Sequence, residues 1–224
     1  HPWSAPKVTQ AMTRYRCVIF DWDGTLMDSV NKIVNTMQIA ARMSDIAIPT
    51  HATVSHIIGI SLKPAIAQLF NLVDEAKINE ITANYKTAFI EHDQTPCPLF
   101  AGAKELLTQL HPHTRLAVAT GKARRGLHRA WENSATGQYF VDSCCADEAH
   151  SKPHPDMLQQ ILTRQGLAPE DCLMVGDTSY DMQMAEAIGM DRIGVSYGVH
   201  SVEQIQVHKP VAIIHEPLEL LRYV

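Results

Sequence analysis

Cys17-Val18-Ile19-Phe20-Asp21-Trp22-Asp23-Gly24-Thr25-Leu26 decides how this chain is read. Four apolar residues, too few for a helix, run into two aspartates and a glycine, the pattern of a buried strand that ends in a turn. Further short apolar runs follow at Leu116 to Ala119, Cys172 to Val175, Arg192 to Val195 and Val211 to Ile214. Helical patterns lie between them, at Ala103 to Leu110, Arg124 to Asn133, Pro155 to Gln165 and Ser179 to Ile188. Buried strands alternating with amphipathic helices predict an α/β fold whose parallel sheet is covered on both faces. In such sheets ligands gather at the carboxyl ends of the strands, so reactive residues are expected just after each run.

One region breaks the alternation. From about Asp28 to Thr95 only helical stretches are legible: Ser29 to Met43, Leu62 to Phe70 and Asp74 to His92. Leu62, Ile66, Leu69 and Phe70 follow helical spacing, as do Ile78, Ile81, Tyr85 and Phe89. The expectation is a small helical cap, residues 28–96, inserted into a core made of residues 1–27 and 97–224. Linkers near Met27 to Val30 and Thr95 to Phe100 would join the two.

Composition narrows the function. The chain has 224 residues, 46% hydrophobic and 19% charged, enough for one well-buried domain with an insertion. Lys+Arg number 19 against 24 Asp+Glu, a formal charge of −5. That balance argues against nucleic-acid binding, whose electrostatic footprint is basic. The cluster Lys122, Arg124, Arg125 and Arg129 reads as one helix face, with Lys122 or Arg125 turned to a substrate. No run of about 18 apolar residues is present, so no membrane span is expected. The five cysteines are odd in number and irregularly spaced, which points to a reducing cytoplasm. His1 to Arg14 lacks a continuous apolar segment and reads as a poorly ordered lead-in, not a signal peptide. Oligomeric state is left open, with a monomer as the working expectation.

The carboxylates carry the chemistry. Asp21 and Asp23, two residues apart on an extended backbone, are expected to share a face, where their charges repel unless a cation or proton intervenes. A hard divalent ion such as Mg²⁺ would resolve that conflict. Leu173-Met174-Val175-Gly176-Asp177 repeats the pattern and offers a further metal oxygen. Asp181 fits either the start of the next helix, where the dipole favours a carboxylate, or a place around the metal. Ala119-Thr120-Gly121-Lys122 can present a hydroxyl and backbone N–H groups to an anion. In Ser151-Lys152-Pro153-His154-Pro155, Pro153 biases Lys152 towards an extended backbone and Pro155 suits a first helical turn.

In order, these segments read Asp-x-Asp-Gly-Thr-Leu, Thr-Gly, Ser-Lys-Pro and Gly-Asp-x-x-x-Asp. The arrangement resembles the haloacid dehalogenase superfamily of phosphotransferases over nearly the whole chain, Cys17 to Gly194. The helical insertion is similar to that family's C1-type cap, and Asp-Gly-Thr-Leu-x-Asp-Ser with Gly-Asp-Thr-x-x-Asp resembles its phosphoglycolate phosphatase-like branch. The resemblance implies a Rossmann-like core and hydrolysis of a small phosphorylated metabolite. It implies Asp21 as nucleophile, Asp23 as general acid/base, and Thr120 and Lys152 as the pair holding the phosphate. It implies Mg²⁺ on the side chains of Asp21 and Asp177 and the main-chain carbonyl of Asp23, with Asp181 in support. Trp22, Gly121 and Lys122 are expected to line the substrate site.

Alternatives on the same residues are an inorganic pyrophosphatase, a sugar-phosphate mutase, or a phosphate-binding module without turnover. The insertion's lysines, Lys32, Lys63, Lys77 and Lys86, sit in no context that marks one as a Schiff-base former. The loop around Gly59 and Lys63 reads most simply as a turn between helices.

Overall fold

The structure, a computed structural model, describes residues 14–224; apart from Arg14, the lead-in lies outside the described residues. Six strands build one parallel sheet: β1 (Cys17–Phe20), β2 (Arg115–Ala119), β3 (Asp142–Cys144), β4 (Cys172–Gly176), β5 (Asp191–Val195) and β6 (Ala212–Ile214). Their order is β3-β2-β1-β4-β5-β6, which puts β1 at the centre between β2 and β4.

Side chains alternate across the sheet, and the apolar residues divide accordingly. Val18 and Phe20 of β1, Leu116 and Val118 of β2, and Leu173 and Val175 of β4 pack on one face. Cys17, Ile19, Ala117, Ala119, Cys172 and Met174 pack on the other. Both faces are covered, so every residue of these strands except Arg115 is buried, and the continuous apolar runs in the sequence follow.

Between β1 and β2 the chain passes through α1 (Val30–Met43), α2 (His51–Ile57), α3 (Leu62–Leu69), α4 (Glu75–Thr87) and α5 (Ala103–Leu110). Helix α5 packs on the first face through Leu106, Leu107 and Leu110, beside α6 (Arg124–Ser134). The second face is covered by α7 (Asp156–Gln165) and α8 (Ser179–Ala187), followed after β5 by the short α9 (Val202–Gln206). Helices α1 to α4 turn their apolar stripes on one another: Ile33, Val34 and Met37 meet Val54, Ile57, Ile66 and Ile81 in a third core, separate from those of the sheet. Strands leading into and out of this segment run side by side, with Asp28 N–H donating to the Pro98 carbonyl at 2.7 Å and Phe100 N–H to that of Leu26 at 2.9 Å.

Three elements lie outside the sequence reading. β3 is a three-residue edge strand, Asp-Ser-Cys, too short and polar to register as an apolar run. Helix α2 turns only Val54 and Ile57 inward, too few to register as a helical pattern; Thr50 caps it by accepting from the Thr53 N–H at 3.2 Å. Helix α9 spans five residues. The helix read as Asp74 to His92 is α-helical only to Thr87 and closes in a π turn, Ala88–His92. All five cysteines are free thiols. Among the described residues no helix is long and apolar enough to cross a membrane.

Candidate active site

The site assembles at the carboxyl ends of β1, β2 and β4. Asp21 follows β1, Thr120 follows β2 and Asp177 follows β4, so three neighbouring strands deliver three polar groups to one place. Lys152 arrives from the loop before α7 and lies between two carboxylates, its Nζ 2.9 Å from Asp21 Oδ1 and 2.7 Å from Asp181 Oδ1. Oxygen atoms of Asp21, Asp177 and Asp181 lie within 4.8 Å of one another, and all three residues are buried.

Second partners fix each carboxylate. Asp181 sits at the start of α8, where its Oδ2 accepts from the Thr178 N–H at 3.2 Å and hydroxyl at 2.9 Å in a capping box. It therefore caps the helix and holds Lys152 at once. Asp177 accepts from Thr25 Oγ1 and from the Val199 N–H, both at 3.0 Å. Gly24, at φ +81°, carries the chain past this carboxylate; a Cβ there would collide with Asp177 Oδ2. Asp21 Oδ1 also accepts from the Trp22 N–H at 2.7 Å, whereas Asp21 Oδ2 is buried with no hydrogen-bond partner.

Asp23 has a separate cation. Lys122 Nζ lies 3.3 Å from both its oxygens, and the Ser29 hydroxyl donates to Oδ1 at 2.7 Å. The repulsion expected between Asp21 and Asp23 is thus met by two lysines, one for each. Thr120, fully buried, accepts the Lys122 N–H on its hydroxyl oxygen at 3.0 Å.

Three carboxylates and one lysine leave the Asp21-Asp177-Asp181-Lys152 cluster two negative charges in excess when all are ionised. Burial, reinforced by the charge of Asp181, drives the Asp21 carboxyl well above the usual carboxylate range. The same two causes push Asp177 up to about 6. For Lys152 burial alone would lower the pKa, but the charges of Asp181 and Asp21 win and hold it protonated. A buried, all-oxygen donor set with an excess of two negative charges fits a hard divalent cation.

Most of the sequence-designated residues meet here, but not all in the manner expected. The Trp22 side chain turns away into the core and packs edge-on against Phe140 at 6.1 Å, so only its main chain faces the site. The reason is the strand alternation that sends Asp21 the other way. Arg125 is exposed, and Arg124 is spent on Glu148 at 2.7 Å, so the basic cluster contributes Lys122 alone. Lys63 is exposed on α3, and Lys32 is paired with Asp93 at 3.0 Å. Thr25 and Ser29 stand within the motifs already quoted but carried no assigned role. Val199, in a loop after β5, has no signal in the sequence.

The turn between α2 and α3 does more than reverse the chain. Its Gly59 carbonyl lies where a Cβ on Gly121 would come within 2.6 Å of it, so only glycine admits the approach. Ser61 N–H donates to the Ser151 hydroxyl at 3.0 Å, beside Lys152. Under this cover Asp21, Thr120, Lys152, Asp177 and Asp181 are at most 2% exposed. Two surface clefts among the described residues, of about 550 and 420 Å³, include none of these side chains.

The family model for haloacid dehalogenase-like hydrolase matches residues 18–195 of the chain. The chain is 34% identical over 202 residues to "Probable phosphatase IndB" of Dickeya dadantii, covering 88% of each protein. It is 32% identical over 203 residues to a 5'-nucleotidase of Pseudomonas aeruginosa, covering 89% of this chain and 91% of the other. The structure is similar to that of a haloacid dehalogenase-like hydrolase from Streptococcus pneumoniae, with a TM-score of 0.83 and 26% identity over 95% of this chain and 99% of that one.

Proposed function

Because the chain belongs to the haloacid dehalogenase-like hydrolase family and is similar to a 5'-nucleotidase, we propose that this hydrolase of phosphate esters is a Mg²⁺-dependent phosphatase of small phosphomonoesters. It works through an aspartyl-phosphate on Asp21, and its substrate is a small phosphorylated metabolite of the cytoplasm, a compartment that suits five free thiols. Residues 28–96 act as the cap, residues 1–27 and 97–224 as the catalytic core. The observation that carries this reading is the buried, unpartnered Oδ2 of Asp21, beside an Oδ1 already held by Lys152.

Asp21 and Asp177, with the main-chain carbonyl of Asp23, would hold the Mg²⁺. When bound, the ion supplies positive charge that offsets repulsion between the Asp21 carboxylate and the phosphate. Asp21 Oδ2 attacks phosphorus while Oδ1 stays on Lys152, so the nucleophile is aimed before substrate arrives. The Thr120 hydroxyl and the ammonium of Lys152 hold phosphate oxygens. Asp23 protonates the departing oxygen and later takes a proton from the water that cleaves the aspartyl-phosphate. Lys122 orients Asp23 through both of its oxygens.

Turnover of p-nitrophenyl phosphate tests the reading. Activity is expected to vanish with EDTA and return with Mg²⁺ but not with Ca²⁺, whose larger shell does not demand octahedral order. Full activity in EDTA, or none on a broad panel of phosphomonoesters, would overturn it. Asp23→Asn is expected to bind Mg²⁺ as the wild type does, because a main-chain carbonyl is its ligand. It should hydrolyse an alkyl phosphate about 10²- to 10⁴-fold more slowly. An unchanged alkyl phosphate rate would remove Asp23 from proton transfer.

A further inference from the structure

The closed turn between α2 and α3 is fastened at one carbonyl. His56 lies in the last turn of α2, where main-chain carbonyls run out of helical donors. Two side chains of the sheet domain fill that vacancy together: the Tyr180 hydroxyl donates at 2.8 Å and His200 Nε2 lies at 3.0 Å. His200 can act as donor because its Nδ1 accepts the Ser179 N–H at 2.9 Å, which leaves the proton on Nε2. Its ring stacks on that of His56 at 4.9 Å and 18°, and the Tyr180 ring meets it edge-on at 4.9 Å. His200 is 2% exposed. Tyr180 and His200 are also tied to the catalytic loops: Tyr180 precedes Asp181, and the His200 N–H donates to the Asp177 carbonyl at 3.3 Å.

We propose that Tyr180 and His200 are positioning residues that clasp the carbonyl of His56 and so hold the Ile58–Ser61 turn shut over Thr120 and Gly121. The inference rests on the reading of residues 28–96 as a cap over a phosphatase site. With the site residues this deeply covered, an ester must displace the turn to reach Asp21. The clasp therefore sets how often the site is open, and it does so without touching substrate.

Hydrogen exchange at Ser61, whose N–H is bonded across the same gap to Ser151, reads the opening directly. Tyr180→Phe and His200→Leu are each expected to speed that exchange about fivefold, the worth of one hydrogen bond. His200→Gln, whose amide can accept from Ser179 and donate to His56, should exchange as the wild type does. In kinetics, shutting competes with binding of a bulky ester, so the KM for p-nitrophenyl phosphate should fall by the same factor with kcat unchanged. Inhibition by inorganic phosphate, small enough to be enclosed, should keep its constant, because the clasp stabilises the empty and occupied closed forms alike. Unchanged exchange at Ser61 in both variants, or a raised KM with a lowered kcat in Tyr180→Phe and in His200→Gln, would overturn the clasp. An inactive wild-type protein would sink the phosphatase reading alone, since the exchange measurement needs no turnover.

Discussion

Asp21→Asn protein is expected to fold and to turn over phosphate esters on the order of 10⁴-fold more slowly than the wild type or not at all. The substitution keeps the side-chain shape and its contacts with Lys152 and the Trp22 N–H while replacing Oδ2, the oxygen proposed to attack phosphorus. It also removes one charge from a buried cluster that holds three carboxylates against one lysine. Without Mg²⁺ the variant should therefore unfold at a temperature no lower than the wild type, because the burial and the neighbouring Asp181 charge that raise the Asp21 pKa no longer act on a carboxylate. The stabilisation that Mg²⁺ confers on the wild type should shrink, since a ligand of the ion has been lost. Calorimetric unfolding with and without Mg²⁺, beside a rate measurement, separates the two effects. A variant with wild-type turnover would exclude Asp21 as nucleophile.

Lys152→Met is expected to lose both stability and activity. Lys152 is buried and bonded to two carboxylates, so its removal leaves Asp21, Asp177 and Asp181 with no protein cation between them. Breaking a buried pair in this way costs about 3–5 kcal/mol, because the remaining charges stay desolvated. Denaturant unfolding measures it. Adding Asp181→Asn should return part of the loss, as the two residues form one network and their effects are not additive. A single variant with the wild-type midpoint, or a double variant less stable than the single by the full effect of Asp181→Asn, would contradict the charge argument.

The residues of the candidate site were legible for a physical reason. Aspartates directly after apolar runs are conspicuous, and a parallel sheet brings the ends of neighbouring strands together whatever the length of chain between them. Asp21, Thr120 and Asp177 stand far apart in sequence yet follow the adjacent strands β1, β2 and β4. The order of those strands was not legible, nor was β3, whose Asp-Ser-Cys lacks an apolar run. Trp22 misled because its place beside Asp21 suggests the site, while strand alternation buries its ring against Phe140. His56, Tyr180 and His200 gave no signal, since a main-chain carbonyl has no sequence identity and its two donors lie 124 and 144 residues away.

The division of β1 between two apolar layers binds chemistry to architecture more tightly than either alone would require. Val18 and Phe20 face one layer, Cys17 and Ile19 the other, and Asp21 continues the same two-beat count. Adding or deleting a single residue upstream of Asp21 in this strand would exchange the two layers and swing the Asp21 carboxylate to the opposite side in one stroke. Drift in length is thereby barred from this short segment and diverted to the connections between strands, which leaves the long excursion after Asp23 as the place where a new specificity can be fitted.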